Sequence, residues 1–169
     1  MRALVKRAKD YEIVLVASNK LAAPGLEWAR AAGVPTWAKD SKGLKREEFD
    51  RALSQALEAS DVGTVALAGF MRILSPWFIA QWRGRIVNIH PSLLPKYRGL
   101  DTHQRAIDAG DAVSGCSVHL VTEDLDAGDV LGSAEVPILP GDTAATLEQR
   151  VLAAEHALYP RILSEFVKQ

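Results

Sequence analysis

The 169-residue sequence contains one cysteine, Cys116. A single thiol excludes an internal disulfide and any cysteine-based zinc site, and it fits a reducing, cytoplasmic compartment. Net charge is nearly absent: 20 lysines and arginines face 21 aspartates and glutamates. Without a local basic patch such a chain has no field with which to hold nucleic acid, so small-molecule partners are expected. Long apolar runs are missing as well. The most apolar stretch, Val62 to Leu74, is shorter than the roughly 20 residues of a membrane span, and it contains Gly63, Gly69 and Arg72. The opening residues, MRALVKRAKD, lack the apolar centre and cleavage site of a secretory signal, and their spacing suits a short basic helix. There is no internal repeat, low-complexity tract or linker, so residues 1–169 read as one domain with two halves, 1–90 and 91–169.

What is present alternates. Glu12 to Ala17 is an apolar, β-branched run ending at Ser18-Asn19, as a buried parallel strand does on meeting a turn. Pro24 and Gly25 open a helix over LEWARAAG, and Val34 to Ala38 is a second short strand. REEFDRALSQALEA repeats Phe49, Leu53, Ala56 and Leu57 on one helical face. Thr64 to Ala68 is a third strand, followed by a Ser75-capped helix with Pro76 at its first position and a strand from Arg85 to Ile89. This βαβα order predicts a Rossmann-like α/β fold, mostly parallel, with helices on both faces and ligands beyond the carboxyl ends of its strands. In the second half, Cys116 to Thr122 and Val130 to Pro137 read as antiparallel strands joined by the acidic turn EDLDAGD. A long helix over Thr143 to Ser164 is expected to be interrupted at Pro160.

The most informative stretch is NIHPSLLPKYRGLDTH, Asn88 to His103, where polar groups gather as a buried strand ends in a proline-punctuated loop. Asn88 and His90 are two apart on a strand and so share a face. An amide donor and an imidazole suit acyl transfer, one binding an oxyanion and the other exchanging a proton near neutral pH. A carboxylate is needed to stabilise the imidazolium, and Glu123, Asp124 and Asp126 are all candidates. Spacing alone does not choose among them. His119 reads as a supporting or packing residue, and His103 and His156 as residues that cap or line helices. No pair of histidines has zinc-protease spacing, so no metal is assigned.

AGFMRILSP, NIHPSLLPKYRGLDTH, SVHLVTEDLDAG and EHALYP together resemble the phosphoribosylglycinamide formyltransferase family of purine synthesis. The resemblance covers nearly the whole chain. Asn-x-His followed by SLLP is common to the wider formyltransferase superfamily, whereas KYRGLDTH and EHALYP are more discriminating. It implies transfer of a formyl group from 10-formyltetrahydrofolate to glycinamide ribonucleotide, with Asn88 holding the formyl oxygen, His90 as general acid and Asp126 as its charged support. For the folate it implies Met71, Arg72, Ile73 and Leu74 on one wall, Thr122, Glu123, Asp124, Leu125 and Asp126 on the other, and Arg46 at the distal end. Leu152, Ala153, Ala154 and Glu155 match a segment contacting the ribonucleotide, with Glu155 toward the ribose hydroxyls.

The family opens with a strand and a glycine-serine-asparagine loop that binds phosphate at a helix start. Met1-Arg2-Ala3-Leu4 aligns just after that loop, so either the start lies upstream of Met1 or this chain lacks the first strand and the phosphate cradle. Asp129 stands where relatives carry proline and is expected to loosen the turn bearing Asp126. Rival readings are a formyltetrahydrofolate hydrolase, with water as acceptor, and a catalytically silent folate-binding module. A monomer or a homodimer is compatible with the sequence.

Overall fold

The computed structural model describes residues 1–169. The elements run α1 (Arg2–Lys6), β1 (Val16–Ser18), α2 (Pro24–Ala31), β2 (Thr36–Ala38), α3 (Arg46–Ala59), β3 (Val65–Leu67), α4 (Pro76–Gln81), β4 (Ile86–His90), α5 (Thr102–Asp108), β5 (Val113–Leu120), β6 (Val130–Pro137) and α6 (Ala144–Phe166). The α/β architecture expected from the alternation is present. β1 pairs with β2 and β3 with β4 in parallel, and the change to antiparallel pairing comes at β4 with β5 and continues to β6.

The strands form two sheets, β1-β2 and β3-β4-β5-β6. The loops that follow β1, β2 and β3 meet: Asn19 Nδ2 donates to Ser41 Oγ at 3.2 Å, and Arg72 Nη1 donates to the Ser41 carbonyl at 3.4 Å. The carboxyl ends of these strands therefore lie on one side. Between β1 and β3 runs a cavity of about 870 Å³, lined along its length by residues of both edges and bordered by Met1 and Leu163. β1 is shorter than its apolar run, its ladder with β2 covering three residues. Residues 12–15 border the cavity and have no ladder partner, so only Val16–Ser18 register as strand.

Two apolar clusters hold the layers together. Phe49, Leu53 and Leu57 of α3 pack with Phe78 and Ile79 of α4, Trp82 and Ile86, the helical spacing of α3 placing its apolar side chains on one buried face. Ser75 caps α4 by accepting from the Phe78 N–H at 3.2 Å, and Asp50 Oδ2 accepts the Ser75 N–H at 2.6 Å. On the opposite face, Val87, Cys116 and Val118 pack under Leu147, Val151, Leu158 and Ile162 of α6.

Two further expectations change. α6 is one helix of 23 residues and is not interrupted at Pro160. Proline leaves the carbonyl four residues back without its helical donor, and that carbonyl, of His156, accepts from Arg7 Nη1 at 2.9 Å. β5 begins at Val113 and ends at Leu120, against the expected Cys116 to Thr122. α5, which packs Thr102 and Ala106 inward, contains His103, one of the two histidines expected to cap or line helices.

Candidate active site

The alternation of β4 sets the chemistry. Val87 faces the α6 cluster, while Ile86, Asn88 and His90 share the other face, with Ile86 buried against α3 and α4. Across the ladder Asn88 opposes His119 and His90 opposes Ser117. Directly opposed residues of an antiparallel pair project to one side, so four polar side chains gather on a single patch. His90 is 6% exposed, His119 2% and Ser117 fully buried.

The loop after β4 folds back over this patch and is fastened by side chains that replace its missing ladder partners. Ser117 Oγ donates to the Ser92 carbonyl at 2.8 Å and accepts the Leu94 N–H at 3.1 Å, and Ser92 Oγ donates to the Lys96 carbonyl at 2.6 Å. The turn after β5 closes from the other side. Asp126 adopts a left-handed backbone conformation, φ 48°, which short polar residues tolerate. Its Oδ2 accepts the Gly99 N–H at 2.9 Å and lies 3.4 Å from His90 Nδ1, and its Oδ1 lies 3.6 Å from His119 Nε2. Of the three candidate carboxylates, Asp126 is the one that reaches the histidines; Glu123 and Asp124 are exposed.

His90 has an acceptor at each ring nitrogen: Nε2 is 2.9 Å from the Tyr97 carbonyl and Nδ1 faces the Asp126 carboxylate. That arrangement suits an imidazolium, which donates from both nitrogens. His119 is different. Burial pushes its imidazole below the ordinary histidine range, against the raising influence of the Leu120 carbonyl and Asp126, while His90 adds to the lowering. The site therefore pairs a histidine flanked by two acceptors with a buried one whose imidazole is held below its ordinary range. Together with the Asn88 amide, it can polarise a carbonyl and supply it with a proton.

The turn carrying Asp126 depends on a close approach. A Cβ at Gly128 would meet the Leu120 carbonyl oxygen at 2.0 Å and Thr122 Cγ2 at 3.1 Å. Gly128→Ala is therefore expected to destabilise the fold by about 1–3 kcal/mol through overpacking, read by urea denaturation; an unchanged midpoint would show that the turn relaxes freely. The turn closes through the main chain of Asp129, whose carbonyl accepts the Leu120 N–H at 2.9 Å.

The remaining residues singled out in the sequence divide. Met71, Ile73 and Leu125 present large apolar side chains to solvent, 78%, 59% and 60% exposed, a free energy cost that a planar apolar ligand would recover. Arg72 lies back over the Phe49 ring at 5.1 Å and bonds Ser41, and Leu74 is buried in the α3–α4 core. Arg46, Thr122, Leu152 and Ala153 are exposed, and Ala154 and Glu155 half-buried.

Burial pushes the Glu155 carboxyl up to about 6, with the Met1 ammonium pulling the other way and Glu148 adding to the rise. The same burial, with Glu155 beside it, pushes the Cys116 thiol up to about 12, which leaves it inert. The folded chain holds the Glu155 proton to higher pH than the unfolded chain does, so this group costs stability as pH rises from 4.5 to about 6. Glu155→Gln is expected to gain more stability over the native chain at pH 8 than at pH 5, measured by urea titration. A difference independent of pH would contradict the assignment.

Sequence reasoning gave His119 a supporting or packing role and did not connect it to Asn88. The available signal was its position in SVHL, alternating with Cys116, Val118 and Leu120, which puts Ser117 and His119 together on the face away from the apolar residues.

Residues 1–163 match the family described as formyl transferase. The trifunctional purine biosynthetic protein adenosine-3 of Drosophila pseudoobscura pseudoobscura is 50% identical over 154 residues, 90% of this chain but 11% of that protein. The phosphoribosylglycinamide formyltransferase of Escherichia coli K12 is 48% identical over 152 residues, 89% of this chain and 72% of that protein. Among solved structures, phosphoribosylglycinamide formyltransferase from Brucella melitensis superposes with a TM-score of 0.91 at 50% identity, covering 98% of this chain and 88% of the other. The enzyme of the same name from Bacillus halodurans gives 0.93 at 33% identity, covering 99% and 89%. With a family match over almost all of its length and the same fold in these structures, the chain belongs to the formyl transferase family.

Proposed function

We propose that the chain transfers the formyl group of 10-formyltetrahydrofolate to the amine of glycinamide ribonucleotide, a step of purine synthesis. The observation that carries this reading is the cluster at the carboxyl end of β4, where Asn88 and His90 share a face and Asp126, from the turn after β5, lies 3.4 Å from His90 Nδ1. The names borne by the relatives support the choice of substrates.

In this reading the neutral glycinamide amine attacks the formyl carbon, forming the new C–N bond. The carbonyl oxygen becomes an oxyanion held by an Asn88 N–H and by protonated His90, whose Nδ1 is the nitrogen on the Asp126 side. The bond from the formyl carbon to N10 of the folate then breaks, N10 takes up a proton, and the proton lost by the amine balances it. Asp126, 3.4 Å from His90 Nδ1, offers the protonated ring a counter-charge. The folate's ring system lies against Met71, Ile73 and Leu125, with the backbone of Arg72 and Leu74 and the segment from Thr122 to Asp126 lining its slot and Arg46 near its distal end. The segment Leu152 to Glu155 faces the ribonucleotide, with Glu155 toward the ribose hydroxyls.

The test is to incubate the purified chain with 10-formyltetrahydrofolate, with and without glycinamide ribonucleotide, and to follow tetrahydrofolate, formate and formylated ribonucleotide. Formylated ribonucleotide appearing in step with tetrahydrofolate is the expected result. Formate release without ribonucleotide identifies a hydrolase, and binding of folate with no turnover identifies a silent module.

A further inference from the structure

His119 is the one imidazole of the cluster that the proposed reaction leaves without a task, and its surroundings define its protons. Nδ1 lies 2.8 Å from the Leu120 carbonyl oxygen, which only accepts, so Nδ1 carries a hydrogen. Nε2 lies 3.3 Å from Asn88 Nδ2 and 3.6 Å from Asp126 Oδ1. These neighbours make opposite demands: the amide needs a lone pair on Nε2, and the carboxylate needs a hydrogen. The amide is nearer, and at 2% exposure a second proton on the ring is costly.

The consequence reaches Asn88. An amide turned the other way would set Oδ1 against the Nε2 lone pair, two acceptors facing each other. With Nδ2 turned toward His119, one of its hydrogens goes to Nε2 and the second remains available on the face that Asn88 shares with His90.

We propose that His119 is a positioning residue: fixed by Leu120 as the Nδ1–H tautomer, it uses its bare Nε2 to hold the Asn88 amide nitrogen in place for the formyl oxygen. One nitrogen's hydrogen bond sets the role of the other. The kinetic part of this inference rests on the proposed formyl transfer; the tautomer does not.

Two measurements test it. Long-range ¹H–¹⁵N spectra of the full labelled chain, without ligands, should show His119 protonated at Nδ1 and bare at Nε2; a protonated Nε2 overturns the proposal whatever the enzyme does. In the transfer assay, His119→Leu should lower kcat about 10- to 100-fold, less than the about 10²- to 10³-fold expected for loss of an oxyanion donor itself, with the KM for folate unchanged. His119→Gln, whose Oε1 offers an acceptor near the position of Nε2, should recover most of that loss. Equal impairment of the Gln and Leu variants would show a merely structural residue and overturn the proposal. If the native chain transfers no formyl group, the proposed function fails and the tautomer measurement still decides this one.

Discussion

His90→Ala is expected to lower kcat by about 10²- to 10⁴-fold, the usual contribution of a positioned general acid, while the KM for 10-formyltetrahydrofolate changes little. The reason lies in what His90 touches. Its ring is bonded through Nε2 to the Tyr97 carbonyl, so Nδ1 is the nitrogen left to meet the oxyanion, at a point beside the Asp126 carboxylate. Removing the ring leaves the Asp126 carboxylate facing that point. A carboxylate repels a developing oxyanion, which makes the alanine variant worse than one lacking both groups' charge. His90→Ala/Asp126→Asn should accordingly be no slower than His90→Ala alone. A His90→Ala variant retaining more than a tenth of native kcat, with intact thermal unfolding, would remove His90 from the chemistry.

Asn88→Ala is expected to cost about 10²- to 10³-fold in kcat, the measured scale for one oxyanion donor. The side chain is short and lies in the middle of β4, paired with His119 across the ladder, so its loss leaves the strand register undisturbed. The effect should fall on kcat and on kcat/KM equally, because the hydrogen bond strengthens only as negative charge develops. Combined with His90→Ala, the losses should multiply to less than their product, since both groups act on the same oxygen. A variant that instead raises the KM for folate with kcat unchanged would make Asn88 a ground-state contact.

Much of this site is legible in the sequence. The period of two in VNIH announced a strand with Asn88 and His90 on one face, and the ladder with β5 agrees. Ser75 and Pro76 marked the start of α4 because capping is a local event, decided within one turn. What was not legible depended on partners far away in sequence. Pro160 reads as a break, and only the Arg7 guanidinium, 149 residues away from His156, shows how the helix passes through it. The choice of Asp126 over Glu123 and Asp124 needed the family resemblance, because three carboxylates in one turn differ only in where the folded backbone aims them. The place of His119 opposite Asn88 required the register of β4 against β5, which no local pattern states.

The separation of β1 from β3 governs how the molecule loosens. No main-chain hydrogen bond ties β1-β2 to the four-stranded sheet, so the segment from β1 through β2 is attached by side-chain packing and by tethers such as Arg72 to Ser41. Local opening follows the weakest seam. Amide protons of Val16 to Ser18 should therefore trade with deuterated water well ahead of those in β4 and β5. Such breathing at one flank would leave the carboxylate and its two imidazoles undisturbed on the other.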